Sequence, residues 1–251
     1  MTSFDLSGRR ALVTGANTGI GQGIAEALAA AGAHVVCAGR SSMDETLERI
    51  RAAGGSAEPL KMDLSDPRAA AGLLEGKARR GEGLDILVNN AGIIRRADAV
   101  DFPESDWDAV IDVNLKAVFL LSQAFGRAAL ERGRGGRIVN IASVLSFQGG
   151  IRVASYTASK HGVLGLTRLL ACEWAAHGIN VNAIAPGYIA TANTTALRED
   201  EARYRAILER IPAGRWGEPS DLGGAAVFLA SDAARYVHGA VLPVDGGWLA
   251  R

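Results

Sequence analysis

Tyr156 and Lys160 stand four residues apart at the front of a long apolar helical pattern. Side chains at i and i+4 lie one above the other on a helix, so this phenol and ammonium share a face. The pairing predicts proton-transfer chemistry. A free tyrosine ionises near pH ~10, and a nearby cation draws such a pKa down by roughly 1 to 3 units, toward use as an acid or base at neutral pH. Ser143 precedes Tyr156 by thirteen positions, at the end of the apolar run 137–142, where a buried strand is predicted. Tyr and Lys also occur at this spacing in helices with no catalytic task, so the pair acquires meaning only from its surroundings.

Those surroundings begin near the N-terminus. An apolar run, 10–14, leads into Gly15-Ala16-Asn17-Thr18-Gly19-Ile20-Gly21 and then an alanine-rich helical pattern ending near Gly32. Strand, glycine turn and helix in that order predict a phosphate-binding start to a dinucleotide fold, in which glycine lets the backbone approach a pyrophosphate and the helix start supplies N–H donors. The spacing departs from Gly-x-Gly-x-x-Gly, and a glycine turn with no ligand is the alternative. A second strand is predicted over 34–38. Its tip, Gly39-Arg40-Ser41-Ser42, carries no acid before Asp44, and an arginine there accommodates the 2′-phosphate of NADP; stacking on the adenine or exposure to solvent is the other reading of Arg40.

Further strands are predicted over 56–62, leading to Asp63-Leu64, and 85–88, leading to Asn89-Asn90-Ala91-Gly92, with a helix over 66–79 between them. Strands alternating with helices predict a doubly wound parallel sheet that binds ligands at the carboxyl ends of its strands. Asp63 and Asn90 fall at such ends, where capping a turn is their other common use. Long helices are predicted over 104–132, with Asn114 as a polar amide among apolar neighbours, and over 154–177. The second is apolar on more than one face, which predicts self-association. A strand over 179–184 ends in Pro186-Gly187-Tyr188-Ile189-Ala190-Thr191. The stretch from there to about 218 exceeds an ordinary connection and holds a helical pattern at 198–210, so a substrate lid is expected. A last strand over 240–244 precedes Asp245-Gly246-Gly247-Trp248, whose apolar character predicts docking, on another subunit among other surfaces.

Composition narrows the partners. Basic and acidic residues number 27 each in 251 residues, so no overall field draws the chain to nucleic acid or an anionic membrane. No linker or repeat divides the chain, which predicts one domain over 1–251. Cys37 and Cys172 lie in apolar surroundings without metal-type or redox-type spacing, and are expected as buried free thiols in a reducing cytoplasm. No leader-type segment, membrane-spanning run or metal-ligand cluster is read.

Thr14-Gly-x-x-x-Gly-x-Gly21, Asn89-Asn-Ala-Gly92, Asn114, Ser143, Tyr156-x-x-x-Lys160 and Pro186-Gly187 together resemble the short-chain dehydrogenase/reductase family over essentially the whole chain. The resemblance implies a single-domain Rossmann-type fold of class α/β, a doubly wound parallel seven-stranded sheet with helices on both faces, and a homotetramer. It implies a catalytic set of Asn114, Ser143, Tyr156 and Lys160. The cofactor set it implies is Gly15, Asn17, Thr18, Gly19, Ile20, Gly21, Arg40, Asp63, Leu64, Asn90, Ala91, Gly92, Tyr156, Lys160, Pro186, Gly187, Ile189 and Thr191.

Ile93–Arg96, the stretch 145–152, Ile211–Gly217 and the terminal Asp-Gly-Gly-Trp resemble more narrowly the subgroup of 2-deoxy-D-gluconate 3-dehydrogenases, also described as 2-dehydro-3-deoxy-D-gluconate 5-dehydrogenases. That subgroup implies a sugar-acid substrate and leans to NAD, against the NADP reading of Arg40. A sugar acid brings a carboxylate, which a guanidinium binds in bidentate fashion. Arg95, Arg96, Gln148, Arg152, Tyr188 and Arg215 are the candidates to hold it. Gluconate 5-dehydrogenase and 3-oxoacyl carrier-protein reductase share the catalytic set; the latter calls for a basic docking surface, which the balanced charge does not suggest. A dinucleotide sensor without activity would lack part of that set.

Overall fold

A computed structural model describes residues 3–251. Seven strands form one all-parallel sheet in the order β3-β2-β1-β4-β5-β6-β7. In chain order they are β1 (Arg10–Thr14), β2 (His34–Gly39), β3 (Ser56–Lys61), β4 (Ile86–Asn89), β5 (Gly136–Ile141), β6 (Ile179–Pro186) and β7 (Val241–Val244). The helices are α1 (Gly19–Ala30), α2 (Asp44–Ala52), α3 (Pro67–Arg79), α4 (Glu104–Ile111), α5 (Ala117–Arg132), α6 (Ala154–Trp174), α7 (Thr195–Glu199), α8 (Glu201–Leu208) and α9 (Gly223–Ala230).

Side chains alternate across a strand, and here the alternation sorts residues to two cores. Val13, Val35, Val88, Val139 and Ile184 face one side, where they meet Ile24 and Leu28 of α1 and Leu229 of α9. Leu12, Val36, Leu87, Ile138 and Val181 face the other, against Leu74 of α3, Leu121 and Phe125 of α5 and Leu170 of α6. Burial on both faces is what makes the central strands near-continuous apolar runs. The order reverses direction between β1 and β4, and the crevice above their carboxyl ends is where an open sheet of this kind leaves room for a ligand.

Several sequence expectations are refined. The helix expected over 104–132 is continuous, but Asp112–Lys116 is a π turn between α4 and α5, and Asn114 lies within it. That helix is long and apolar enough to cross a membrane by composition, contrary to the sequence reading; its most apolar window is 56% buried inside the fold. The helix expected over 198–210 is two, α7 and α8, because the Asp200 carboxylate accepts from the Arg203 N–H and starts a new helix. Cys37 is buried as expected, which pushes its thiol up to about 11, whereas Cys172 is exposed on the outer side of α6. Trp248 docks on its own chain, in a cluster with Val144, Ile207, Ile211 and Trp216.

Candidate active site

A cleft of about 630 Å³ opens over the carboxyl ends of the strands. Its floor is the glycine turn. Gly15 and Gly19 have φ of +66° and +57°, a region that favours glycine. At Gly21 a Cβ would stand 2.1 Å from the Gly15 carbonyl oxygen, so only glycine lets α1 start so close to β1. Thr18 precedes α1 without capping it through its side chain, which leaves first-turn N–H groups pointing into the cleft as an anion cradle. The Asn90 amide braces this turn, donating to the carbonyls of Thr14 at 2.8 Å and Gly15 at 3.3 Å. Thr14 Oγ1 accepts from the N–H groups of Asn90 and Ala91, both at 3.0 Å.

At the far end of β2, Arg40 is two-thirds exposed and only loosely paired, its Nε 4.0 Å from Asp63. Ser65 N–H donates to Asp63 at 2.9 Å, and this bond, ahead of the Arg40 charge, holds the Asp63 carboxyl below its usual range. Gly15, Asn17 to Gly21, Arg40, Asp63, Leu64, Asn90 to Gly92, Tyr156, Lys160, Pro186, Gly187, Ile189 and Thr191 all line the cleft. The glycine cradle, the uncapped helix start and the loosely held guanidinium fit a dinucleotide with phosphates at each of those points.

The chemistry-bearing groups stand at the opposite end. Ser143 follows β5 and its Oγ accepts from the Leu145 N–H at 3.1 Å. Tyr156 and Lys160 project from the first turns of α6, with the Lys160 ammonium 5.5 Å from the centre of the Tyr156 ring. Lys160 is 4% exposed and donates to the Ile141 carbonyl at 2.6 Å. Burial lowers its pKa to about 8. Burial also raises the Tyr156 phenol; the Ser143 hydroxyl and then the Arg96 charge pull it back. The expectation that the adjacent Lys160 cation draws the phenol down is not met by the protein groups themselves: desolvation raises it, and the opposing pull comes from Ser143 and Arg96.

Asn114 is not among the residues that line the cleft, though its amide lies behind Gly92, which does. Its Oδ1 accepts from the Ile93 N–H at 2.8 Å and its Nδ2 donates to the Ile93 carbonyl at 2.9 Å and to Ser159 Oγ at 3.3 Å. The amide is thus committed to the loop that follows β4. The π turn around it breaks the regular helical ladder at the height of that loop.

The arginines separate. Arg95 lines the cleft but pairs with Asp106 at 3.2 Å. Arg152 pairs with Asp98 at 3.1 Å and sits at φ +63°, and Arg215 holds Asp221 in a two-pronged contact at 2.7 and 2.9 Å. Arg96 has no carboxylate partner among the described residues and is not itself among those that line the cleft; its Nη2 donates at 3.3 Å to the carbonyl of Asn193, which does line it. Gln148 is half-buried on the loop after Ser143. Tyr188 lies in an aromatic cluster outside the cleft lining, 5.5 Å from Trp216 and 4.6 Å from Trp248. Sequence reasoning missed Ala109, Asp112 and Ala192 to Thr194, which line the cleft from the far side and carry no motif of their own. It also missed the buried chain from Asn89 to Asn140 to Thr167, at 2.9 Å per step, which ties β4, β5 and α6 together.

A family model described as enoyl-(acyl carrier protein) reductase matches residues 15–249. A 2-dehydro-3-deoxy-D-gluconate 5-dehydrogenase of Dickeya dadantii is 56% identical over 251 residues, covering 100% of this chain and 99% of that protein. The chain belongs to the short-chain dehydrogenase/reductase family. Members of the family so similar along their whole length also share the fold. A structure from Agrobacterium tumefaciens, of a provisionally assigned 2-deoxy-D-gluconate 3-dehydrogenase with bound NADP, superposes with a TM-score of 0.97 at 66% identity, covering 100% of both chains. Another, from Beutenbergia cavernae, provisionally assigned as an NAD(P)-dependent gluconate 5-dehydrogenase with NADP at low occupancy, has a TM-score of 0.96 at 56% identity, covering 99% of this chain and 100% of that one. As a short-chain dehydrogenase/reductase the chain is a nicotinamide-dependent oxidoreductase.

Proposed function

We propose that this short-chain dehydrogenase/reductase moves a hydride between NADP and a sugar acid of the 2-dehydro-3-deoxy-D-gluconate or 2-deoxy-D-gluconate type, with Ser143, Tyr156 and Lys160 as its catalytic residues. The observation that carries the reading is the Arg96 guanidinium, which has no carboxylate partner among the described residues, donates to the carbonyl of the cleft-lining Asn193 and draws the Tyr156 phenol down. A carboxylate held by Arg96 would leave a hydroxyl farther along the six-carbon chain, at C3 or C5, to meet the catalytic pair. The names of the similar proteins support the same substrate class.

When bound, the nicotinamide dinucleotide would supply the hydride acceptor or donor and, when oxidised, positive charge. The residues do the rest. Ser143 and Tyr156 hold the substrate hydroxyl between them, and Tyr156 takes its proton as the carbinol hydrogen leaves. A phenol raised by burial needs that extra positive charge to ionise. Lys160, with a pKa brought to about 8, sits near the working pH and passes the proton outward. Asn114 acts on this system by fixing Ile93, and with it the segment carrying Arg96.

For the cofactor, Arg40 and the adjoining Ser41 favour a 2′-phosphate, and the similar structures described with NADP favour it too; this outweighs the lean to NAD drawn from subgroup resemblance. The segment 187–218 serves as a substrate lid. A cytoplasmic homotetramer completes the reading; Leu130 of α5 and Leu169 of α6, 41% and 48% exposed, support its self-association. A spectrophotometric panel of NADH and NADPH against keto-sugar acids, neutral keto-sugars and simple ketones tests the proposal. The expected result is fastest turnover with NADPH and a keto-sugar acid; equal rates with the neutral analogues would defeat it.

A further inference from the structure

The C-terminal residues 245–251 are remote in sequence from every catalytic group, yet they pack directly behind Gly187, which lines the cleft. Asp245 caps its own turn, accepting from the N–H groups of Gly247 at 2.8 Å and Leu249 at 2.9 Å. The turn is wedged on both sides. Toward the cleft, Gly187 N–H donates to the Val244 carbonyl at 3.0 Å, and a Cβ on Gly187 would stand 2.6 Å from Asp245 Cα. Toward the excursion after β6, Ala213 N–H donates to the Gly246 carbonyl at 2.9 Å. Gly246 and Gly247 take φ of +65° and +88°, and side chains on them would press on Ile211 and Pro212 at 2.9 and 3.0 Å.

The turn delivers Trp248, which is 4% exposed, to the centre of a small separate core. Its ring lies 4.6 Å from Tyr188, the residue after Gly187, and the Arg210 guanidinium sits 4.0 Å above it. Tyr188 meets Trp216 edge-on, and Trp216 stacks flat on Tyr204 of α8 at 5.7 Å. Val144, next to Ser143, belongs to the same core. One ring therefore joins the catalytic serine's neighbour, the Gly187 wall and the helices of the excursion. Its Nε1 is buried without an acceptor, so the ring's area and π face make the junction, not its N–H.

We infer that Trp248 is a positioning residue for the sugar-acid end of the cleft, holding α7 and α8 closed over Ser143 while leaving the dinucleotide end untouched. This rests on the functional reading above. The test uses the full chain with W248A, W248F and R210Q. In W248A, KM for the sugar acid rises about tenfold or more, in line with what small misplacements do to reacting geometry, while the Kd for NADPH, read by fluorescence, stays within about twofold. Limited trypsin cleavage at Arg198, Arg203 and Arg205 speeds up, and W248F restores KM and protection because the ring is retained. If W248A does not fold, R210Q serves: removing the stacked cation quickens the same cleavages and raises KM modestly. Unchanged KM and cleavage in folded W248A, or in R210Q where W248A fails to fold, overturns the inference; so does loss of NADPH affinity in parallel with KM, or failure of W248F to rescue. A wild-type enzyme inactive on every sugar acid would defeat the functional reading alone, since the cleavage rates would still report on Trp248.

Discussion

The Lys160 ammonium lies 5.5 Å from the centre of the Tyr156 ring, and both groups have their charged forms disfavoured by burial. For Lys160 the folded-state pKa of about 8 lies below the ordinary 10.5, so folding penalises the protonated amine. That penalty is fully present below pH 8 and is relieved as pH rises toward 10.5, amounting to about 3 kcal/mol at most. Lys160→Met removes the titration, although it strands the Ile141 carbonyl. The stability of the wild type relative to Lys160→Met should therefore rise between pH 7.5 and 10, as read by urea unfolding at each pH. A constant difference across that range would contradict the assigned burial.

Ser143 draws the Tyr156 phenol down and burial drives it up. Oxidation uses the phenolate, so its rate should climb with pH, and Ser143→Ala should move the midpoint of that climb to higher pH as well as lowering kcat about a hundredfold or more. Tyr156→Phe should lose nearly all turnover and still bind cofactor. The pH–rate profiles of the three proteins check this; a midpoint unmoved in Ser143→Ala would remove the serine from the phenol's environment.

The proposed catalytic groups were legible because the job proposed for them restricts both type and spacing: Tyr156 and Lys160 would share a helix face, and Ser143 would end a strand. The sheet was legible for a similar reason, since strands buried on both faces leave apolar runs that glycine turns punctuate. Helix α9 was not anticipated, because Gly223-Gly-Ala-Ala-Val-Phe-Leu-Ala presents no polar stripe against which a period shows. The π turn was hidden too: Asp112 to Lys116 carries ordinary helical residues, and one extra residue per turn changes no pattern. Which arginine keeps no carboxylate partner among the described residues depends on Asp98, Asp106 and Asp221 folding beside the other three. No local spacing encodes that.

Asn114 spends its amide on both polar groups of Ile93. In Asn114→Ala those groups lose their partners, which costs about 3 kcal/mol if each of the two contributes its share. Asn114→Asp keeps the acceptor and loses the donor, and should fall between. Thermal unfolding of the three proteins orders them, with kcat falling in the same sequence because the loop bearing Arg96 loosens. Full stability in Asn114→Ala would show that the Ile93 segment is held by something else.

Arg40 is exposed and only loosely tied to Asp63, so it is free to meet a 2′-phosphate. Charge-assisted hydrogen bonds of that kind contribute about 1.5 to 3 kcal/mol. Arg40→Ala should lower kcat/KM with NADPH about ten- to a hundredfold and change it little with NADH. Equal losses with both cofactors would assign Arg40 to the adenine or the fold instead.

Arg96 is asked to do two things, and one substitution separates them. Its guanidinium offers a planar, two-pronged donor to a carboxylate, and its charge lowers the Tyr156 pKa. Arg96→Gln removes both, so KM for the sugar acid should rise about tenfold or more while KM for the neutral analogue stays near wild type, and the oxidation profile should shift to higher pH. Arg96→Lys keeps the charge and loses the fork; it should retain the wild-type pH profile while recovering only part of the substrate affinity. Initial rates over a range of pH with both substrates and all three proteins distinguish these effects. If Arg96→Gln weakens acid and neutral substrate alike, the residue shapes the cleft mouth without reading the carboxylate, and the sugar-acid assignment loses its principal support.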